Sequence, residues 1–141
     1  MPIPMQTCKK RLGALWFGAA GILTFMMIFQ SMGQIYGDKL SEAWGWFLPT
    51  LMPTLSLMCA TFIADAGGRT TTAVAEGDPF MFWLTASLSL AYLLMIALTL
   101  LWQPIASVSP LELMKQANLW MGPFQGLVSG SLGVFFLKAR R

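Results

Sequence analysis

The sequence contains no histidine, has only two cysteines and is poor in charged residues. Histidine is the commonest general acid, general base and metal ligand near neutral pH, so its absence argues against several classes of enzyme and metal site. Cys8 lies beside the basic N-terminal run, and Cys59 lies inside an apolar segment. We therefore predict no disulfide between them, and their spacing is not that of metal ligands.

Charged residues make up 11% of the 141 residues and hydrophobic residues make up 56%, whereas a typical soluble domain is about 25% charged. A soluble domain of this length buries only about two-thirds of its unfolded surface, so it could not hide this much apolar area. The basic residues that give the net charge of +3 lie at segment ends rather than in one patch, so nucleic-acid binding is not indicated. The composition instead predicts the lipid bilayer as the protein's first partner.

Four long segments contain no charged residue: 12–32, 44–64, 80–102 and 119–137. Each approaches or exceeds the length of about 20 residues that a helix needs to cross the hydrocarbon core. The pattern predicts an all-α integral membrane protein, with residues 1–141 forming a single domain of four transmembrane helices. The motif Ser109-Pro110-Leu111-Glu112 is typical of a helix start and predicts a short interfacial helix from Pro110 before the fourth span.

The basic residues predict the orientation of these spans, because loops rich in lysine and arginine stay in the cytoplasm. We predict that both termini are cytoplasmic and that the protein is a multi-pass protein of the cell membrane, typical of a bacterial inner membrane. With this orientation, only Lys39 and Lys115 lie on the outer side. The cytoplasmic side then holds Lys9, Lys10, Arg11, Arg69, Lys138, Arg140 and Arg141.

The fourth segment carries glycines on one helical face. Small residues at this spacing let helices approach closely within lipid, where packing rather than hydrophobicity drives association. Two interpretations stay open: the face packs against another helix of the same chain, or it mediates self-association. The candidate helix-packing residues are Gly122, Gly126, Gly130 and Gly133.

The second segment contains Pro49 and Pro53, one helical turn apart. Each proline lacks an N–H and disfavours helical geometry before it, so we expect the outer part of this segment to be kinked, broken or partly re-entrant. Freed carbonyls in a membrane need cover from protein or water. This stretch is therefore a candidate gate or binding region, formed by Trp44, Trp46, Pro49, Thr50, Pro53 and Thr54, although a simple structural kink is the competing interpretation.

The third segment carries hydroxyl side chains at helical spacing, at Thr85, Ser89, Tyr92 and Thr99. Hydroxyls on one side of a transmembrane helix line a polar path, join helices by hydrogen bonds, or bond to the preceding turn of their own helix. The stripe is thus a candidate polar path with a structural alternative.

No charged residue lies in the middle of any predicted span, which disfavours proton-coupled carriers and ion pumps. No nucleophile has a base beside it, so the sequence predicts no enzyme activity, no cofactor and no metal. We predict a non-catalytic subunit of a membrane assembly that self-associates or binds another membrane or cytoplasmic protein. The alternatives are an oligomeric channel or membrane-permeabilising pore, and a carrier for a neutral or apolar solute.

Overall fold

A computed structural model describes residues 3–67 and 76–138 as a bundle of four long helices. These are α1 (Met5–Met32), α2 (Leu40–Ala66), α3 (Pro79–Trp102) and α4 (Pro110–Lys138). A single 3-10 turn, Gly37–Lys39, leads into α2. Two-residue strands, β1 (Ile3–Pro4) and β2 (Glu76–Gly77), pair antiparallel and hold the start of α1 beside the start of α3.

Three of the helical stretches are long and apolar enough to cross a membrane: Gln6–Met32, Gly37–Ala66 and Pro79–Trp102. This confirms the first three predicted segments as candidate membrane spans. Large apolar side chains also cover the outside of the bundle. Phe29 is 71% exposed and Ile63 is 72% exposed, which is costly in water but natural against lipid tails.

The fourth helix has the length for a span, but it contains no long stretch as apolar as those of the other three helices. Its 29 residues correspond to roughly 43 Å at about 1.5 Å per residue. Its glycines, its serines and Gln125 dilute its hydrophobic residues. Of the four long helices in the described part of the chain, α1, α2 and α3 are thus apolar enough to be recognised as membrane spans from composition, and α4 is not.

The helices alternate in direction along the chain. The Lys9 ammonium meets the Asp65 carboxylate at one end of the bundle, and the ring centroids of Phe82 and Phe135 lie 6.4 Å apart near the same end. The start of α1, the end of α2, the start of α3 and the end of α4 therefore lie together. The closest packing joins α3 to α4, α1 to α3, α2 to α4 and α1 to α2.

The prediction of a separate interfacial helix is wrong. A helix does begin at Pro110, where the Glu112 N–H donates to Ser109 Oγ at 3.4 Å, but it continues without a break to Lys138. No glycine or proline occurs between Leu111 and Met121 to end it. Its apolar side packs into the bundle, because Met114 and Ala117 are each 1% exposed.

The prediction of a broken or re-entrant second segment is also wrong. Helix α2 continues from Leu40 to Ala66 through Pro49 and Pro53. Because Pro53 has no N–H, it cannot bond to the carbonyl of Pro49 one turn earlier. The Gln125 side chain of α4 provides the replacement, as its Nε2 donates to that carbonyl at 3.2 Å. A neighbouring helix thus provides the donor that this carbonyl lacks, and α2 has no break.

Candidate functional site

The glycine face of α4, formed by Gly122, Gly126 and Gly130, points away from the bundle. All three residues are exposed, and a methyl group placed on any of them would meet nothing within 4 Å. The buried stripe of α4 runs along its other side through Met121, Val128 and Leu132. The glycine face is therefore free to receive another helix.

This orientation excludes one of the two interpretations of the glycines. Packing within the chain is wrong for Gly122, Gly126 and Gly130, and Gly133, which is half-buried, also has open space at its Cβ position. The spacing of small residues identifies a face but not its direction, because the direction depends on the rotation of α4 about its own axis. The interpretation as an association surface stays a prediction.

Close packing at a glycine occurs instead on α1, at a residue that the spacing argument missed. A Cβ on Gly13 would lie 2.6 Å from Cζ of Phe62. The ring of Phe62 on α2 thus rests where any other residue would carry a side chain. The sequence does not single out Gly13, because Phe17 stands one helical turn later, where a second glycine would complete the spacing seen on α4.

We expect Gly13→Val to destabilise the fold by about 1–3 kcal/mol, the usual scale for overpacking. Gly18→Val is the matched control, because it places the same β-branched residue on the same helix at a position with open space. The difference in unfolding free energy between the two variants isolates the contact with Phe62. Equal stability of the two would show that Phe62 moves aside without cost.

The candidate gate region on α2 is divided between two faces of the helix. Thr50 and Thr54 are buried, whereas Pro49 and Pro53 are exposed. The structure therefore does not bring these four residues together at one point, and the prolines line no interior site.

The two tryptophans of that region anchor α2 to its neighbours. Trp44 Nε1 donates to Ser31 Oγ on α1 at 3.1 Å, and Trp46 Nε1 donates to Asn118 Oδ1 on α4 at 2.9 Å. Indole N–H groups prefer a partner when they are buried, so each bond fixes the orientation of a large ring. Both side chains thus have a structural part in joining helices.

The hydroxyl stripe of α3 faces the interior, since Thr85, Ser89, Tyr92 and Thr99 are all buried. Tyr92 Oη donates to the Thr50 carbonyl of α2 at 3.0 Å, so this hydrogen bond joins the stripe to the candidate gate region. Thr99 Oγ1 donates to the carbonyl one turn earlier in its own helix at 2.8 Å. This bond is the local alternative that such residues often adopt.

Five buried side-chain polar atoms have no hydrogen-bond partner among the described residues, and four of them lie within the helices. These four atoms are the indole Nε1 of Trp16 and three hydroxyl oxygens, those of Thr54, Thr85 and Ser89. They come from α1, α2 and α3, and the Trp16 and Tyr92 ring centroids lie 6.1 Å apart. Unpaired buried polar groups are costly, so the interior has hydrogen-bonding capacity that packing does not use.

A polar cluster at the opposite end from Lys9 was not predicted from the sequence. Tyr36 Oη lies 2.6 Å from Gln30 Oε1 and 3.0 Å from Gln103 Oε1, and Gln30 Nε2 donates to the Leu100 carbonyl at 3.1 Å. One phenol proton cannot serve both oxygens. Because Gln103 Nε2 has no partner in this orientation, turning the amide lets Tyr36 donate to Gln30 and accept from Gln103.

Burial raises the pKa of Tyr36 to about 12, although the hydrogen bond from Gln103 acts in the opposite direction. The neutral phenol is therefore favoured in the folded protein. Its contribution to stability is fully present below the ordinary pKa of 10.0 and is lost as the pH rises through about 12. We expect the wild type to lose more thermal stability than Tyr36→Phe across this window. Identical pH profiles of unfolding temperature would contradict the assignment.

A nearly buried ion pair joins α1 to α2 and was also not predicted from the sequence. Lys9 Nζ donates to Asp65 Oδ2 at 2.8 Å, and the two side chains are 7% and 17% exposed. The pair fastens the start of α1 to the end of α2. Sequence reasoning recognised Lys9 as a topology signal, but the partner lies 56 residues away.

Within residues 3–67 and 76–138 there is no group of three or more histidine, cysteine, aspartate or glutamate residues that could hold a metal ion. Arg69, Arg140 and Arg141, which contribute to the predicted orientation, lie outside the described residues.

Comparison of the chain with models of protein families, with characterised proteins and with solved structures finds no match.

Proposed function

We propose that this protein is a non-catalytic membrane subunit that self-associates through the glycine face of α4. The observation that carries the proposal is the open space over Gly122, Gly126 and Gly130. Leu119 and Leu127 flank these residues and are 77% and 59% exposed. The glycines leave a shallow groove beside these exposed apolar side chains, and small residues of this kind let transmembrane helices pack closely. A second copy of this chain or a helix of another membrane protein would fit it.

The proposal places all four helices across the cell membrane, with both termini in the cytoplasm. The positions of the helix ends support it, because the start of α1 and the end of α4 lie at the same end of the bundle as Lys9 and Asp65. The excess of basic residues near that end favours the cytoplasmic side. An α4 that crosses the membrane would expose its glycine face to lipid or to a partner helix.

Cysteine labelling tests this topology, in a background that lacks Cys8 and Cys59. The positions Asp38, Ser107 and Gln6 are all exposed. We expect Asp38→Cys and Ser107→Cys to react with an impermeant thiol reagent from outside the cell, and Gln6→Cys to react only after permeabilisation. A reporter fused after Arg141 should be cytoplasmic. The reverse labelling pattern would refute the orientation, and an external reporter would refute the fourth span.

A small channel is the second candidate, because four buried polar atoms from Trp16, Thr54, Thr85 and Ser89 are unused by packing. Such atoms could line a polar path through the bundle. Overproduction in a growing cell separates the two functions. An assembly subunit should leave the membrane potential unchanged, whereas a pore should collapse it, and Ser89→Leu should then prevent the collapse.

A further inference from the structure

An open pocket of about 290 Å³ lies between the N-terminal halves of α2 and α4. The helices run in the same direction here, since each begins at this end of the bundle. The hydrogen bond between Trp46 and Asn118 joins the two helices beside the pocket. The lining residues include Glu42, Gly45, Trp46, Met114, Lys115 and Asn118.

The pocket presents one negative and one positive side chain from opposite helices. Glu42 lies in the first turn of α2, and Lys115 lies near the start of α4. Both side chains are exposed. Within the described residues they do not form an ion pair with each other; the ion pair found there joins Lys9 to Asp65. Each charge is therefore left to interact with a ligand. The complementary ligand carries a cation and an anion a short distance apart.

The pocket lies at the level where lipid headgroups are expected if the helices cross a bilayer. The exposed tryptophans Trp102 and Trp120 lie at the same end of the bundle, and tryptophan is enriched at the membrane interface. Asp38 and Lys39 precede α2 and mark the aqueous side. The inference rests on the proposed membrane placement of α4 and not on self-association.

We propose that this pocket binds the headgroup of a zwitterionic phospholipid that carries a primary amine. The ammonium group of the lipid would pair with the Glu42 carboxylate, and its phosphate would pair with the Lys115 ammonium. A purely anionic lipid would gain from Lys115 but be repelled by Glu42. A quaternary ammonium headgroup could not donate a hydrogen bond to Glu42. The pocket volume of about 290 Å³ lies near the lower limit of about 300 Å³ for small-molecule sites. A pocket of this size suits a lipid headgroup.

Native mass spectrometry of the purified protein tests the proposal, with phosphatidylethanolamine, phosphatidylcholine and phosphatidylglycerol of identical acyl chains. We expect phosphatidylethanolamine to be retained about fivefold more than either competitor, the upper scale of one exposed charge pair. The Glu42→Gln variant should retain phosphatidylethanolamine no better than phosphatidylglycerol. Lys115→Gln should reduce retention of all three lipids.

Asp38→Asn and Lys39→Gln are the matched controls, because each removes the same type of charge at the same end but outside the pocket. Both should retain lipid like the wild type, and circular dichroism should show equal helix content in all variants. Competition by soluble phosphoethanolamine would support headgroup recognition. Equal retention of the three lipids, a preference that survives both pocket substitutions, or displacement of the lipid by a free amino acid such as alanine would overturn the proposal.

Discussion

Replacing Asp65 with leucine should lower the free energy of unfolding by about 3 kcal/mol, because it leaves the nearly buried Lys9 ammonium without a partner. Removal of one member of a buried pair typically costs about 3–5 kcal/mol. The lower end applies here, since the Asp65 side chain is 17% exposed and water partly screens it. Reversible unfolding in mixed micelles measures the change.

Two further variants separate the charge effect from the loss of packing. The double variant Lys9→Met with Asp65→Leu removes both charges and should recover to within about 1 kcal/mol of the wild type. Lys10→Met removes a neighbouring exposed charge and should have little effect. A loss below about 1 kcal/mol in Asp65→Leu would place the pair among exposed surface pairs, contrary to its burial.

Replacing Gly126 with isoleucine should dissociate the proposed oligomer without unfolding the subunit. The Cβ of the added side chain has open space within the monomer, but the side chain would fill the groove in which a partner helix is proposed to pack. Overpacking costs about 1–3 kcal/mol, so the dissociation constant should rise by roughly fivefold to a hundredfold. Sedimentation in density-matched detergent measures the oligomeric state.

Gly21→Ile on α1 is the matched control for this substitution. Gly21 is also exposed, and its Cβ position is also free of neighbours, so helix propensity and added bulk change in the same way. It should leave the oligomer intact. Loss of thermal stability in the Gly126→Ile monomer would contradict the orientation of α4, and an unchanged oligomer would show that the glycine face contacts only lipid.

The residues at which helices begin and end could be predicted from the sequence where neighbouring residues determine them. The third predicted segment, 80–102, differs from α3 by one residue, because Asp78 and Pro79 form a standard helix start there. The first segment ends where α1 ends, at Met32. The same segment missed the start of α1 at Met5, because hydropathy marks the apolar stretch and not the charged turns that continue the helix.

The contacts between helices could not be predicted, because they depend on residues far apart in the sequence. The donor to the free Pro49 carbonyl of α2 is Gln125, which lies 76 residues away. The inward direction of the α3 hydroxyls and the outward direction of the α4 glycines are properties of helix rotation. Two faces with similar spacing of small or polar residues thus have opposite environments, and sequence periodicity alone does not distinguish them.

The self-association of α4 is tested most directly by cross-linking in native membranes. In a background without Cys8 and Cys59, Gly126→Cys should form a covalent dimer rapidly on mild oxidation. Leu90→Cys is the control, since Leu90 is 48% exposed on α3 at about the same depth, as judged from the contact of Phe82 with Phe135. We predict a dimer for Gly126→Cys and none for Leu90→Cys. Equal cross-linking at both positions, or none at Gly126→Cys, would contradict an association surface on α4.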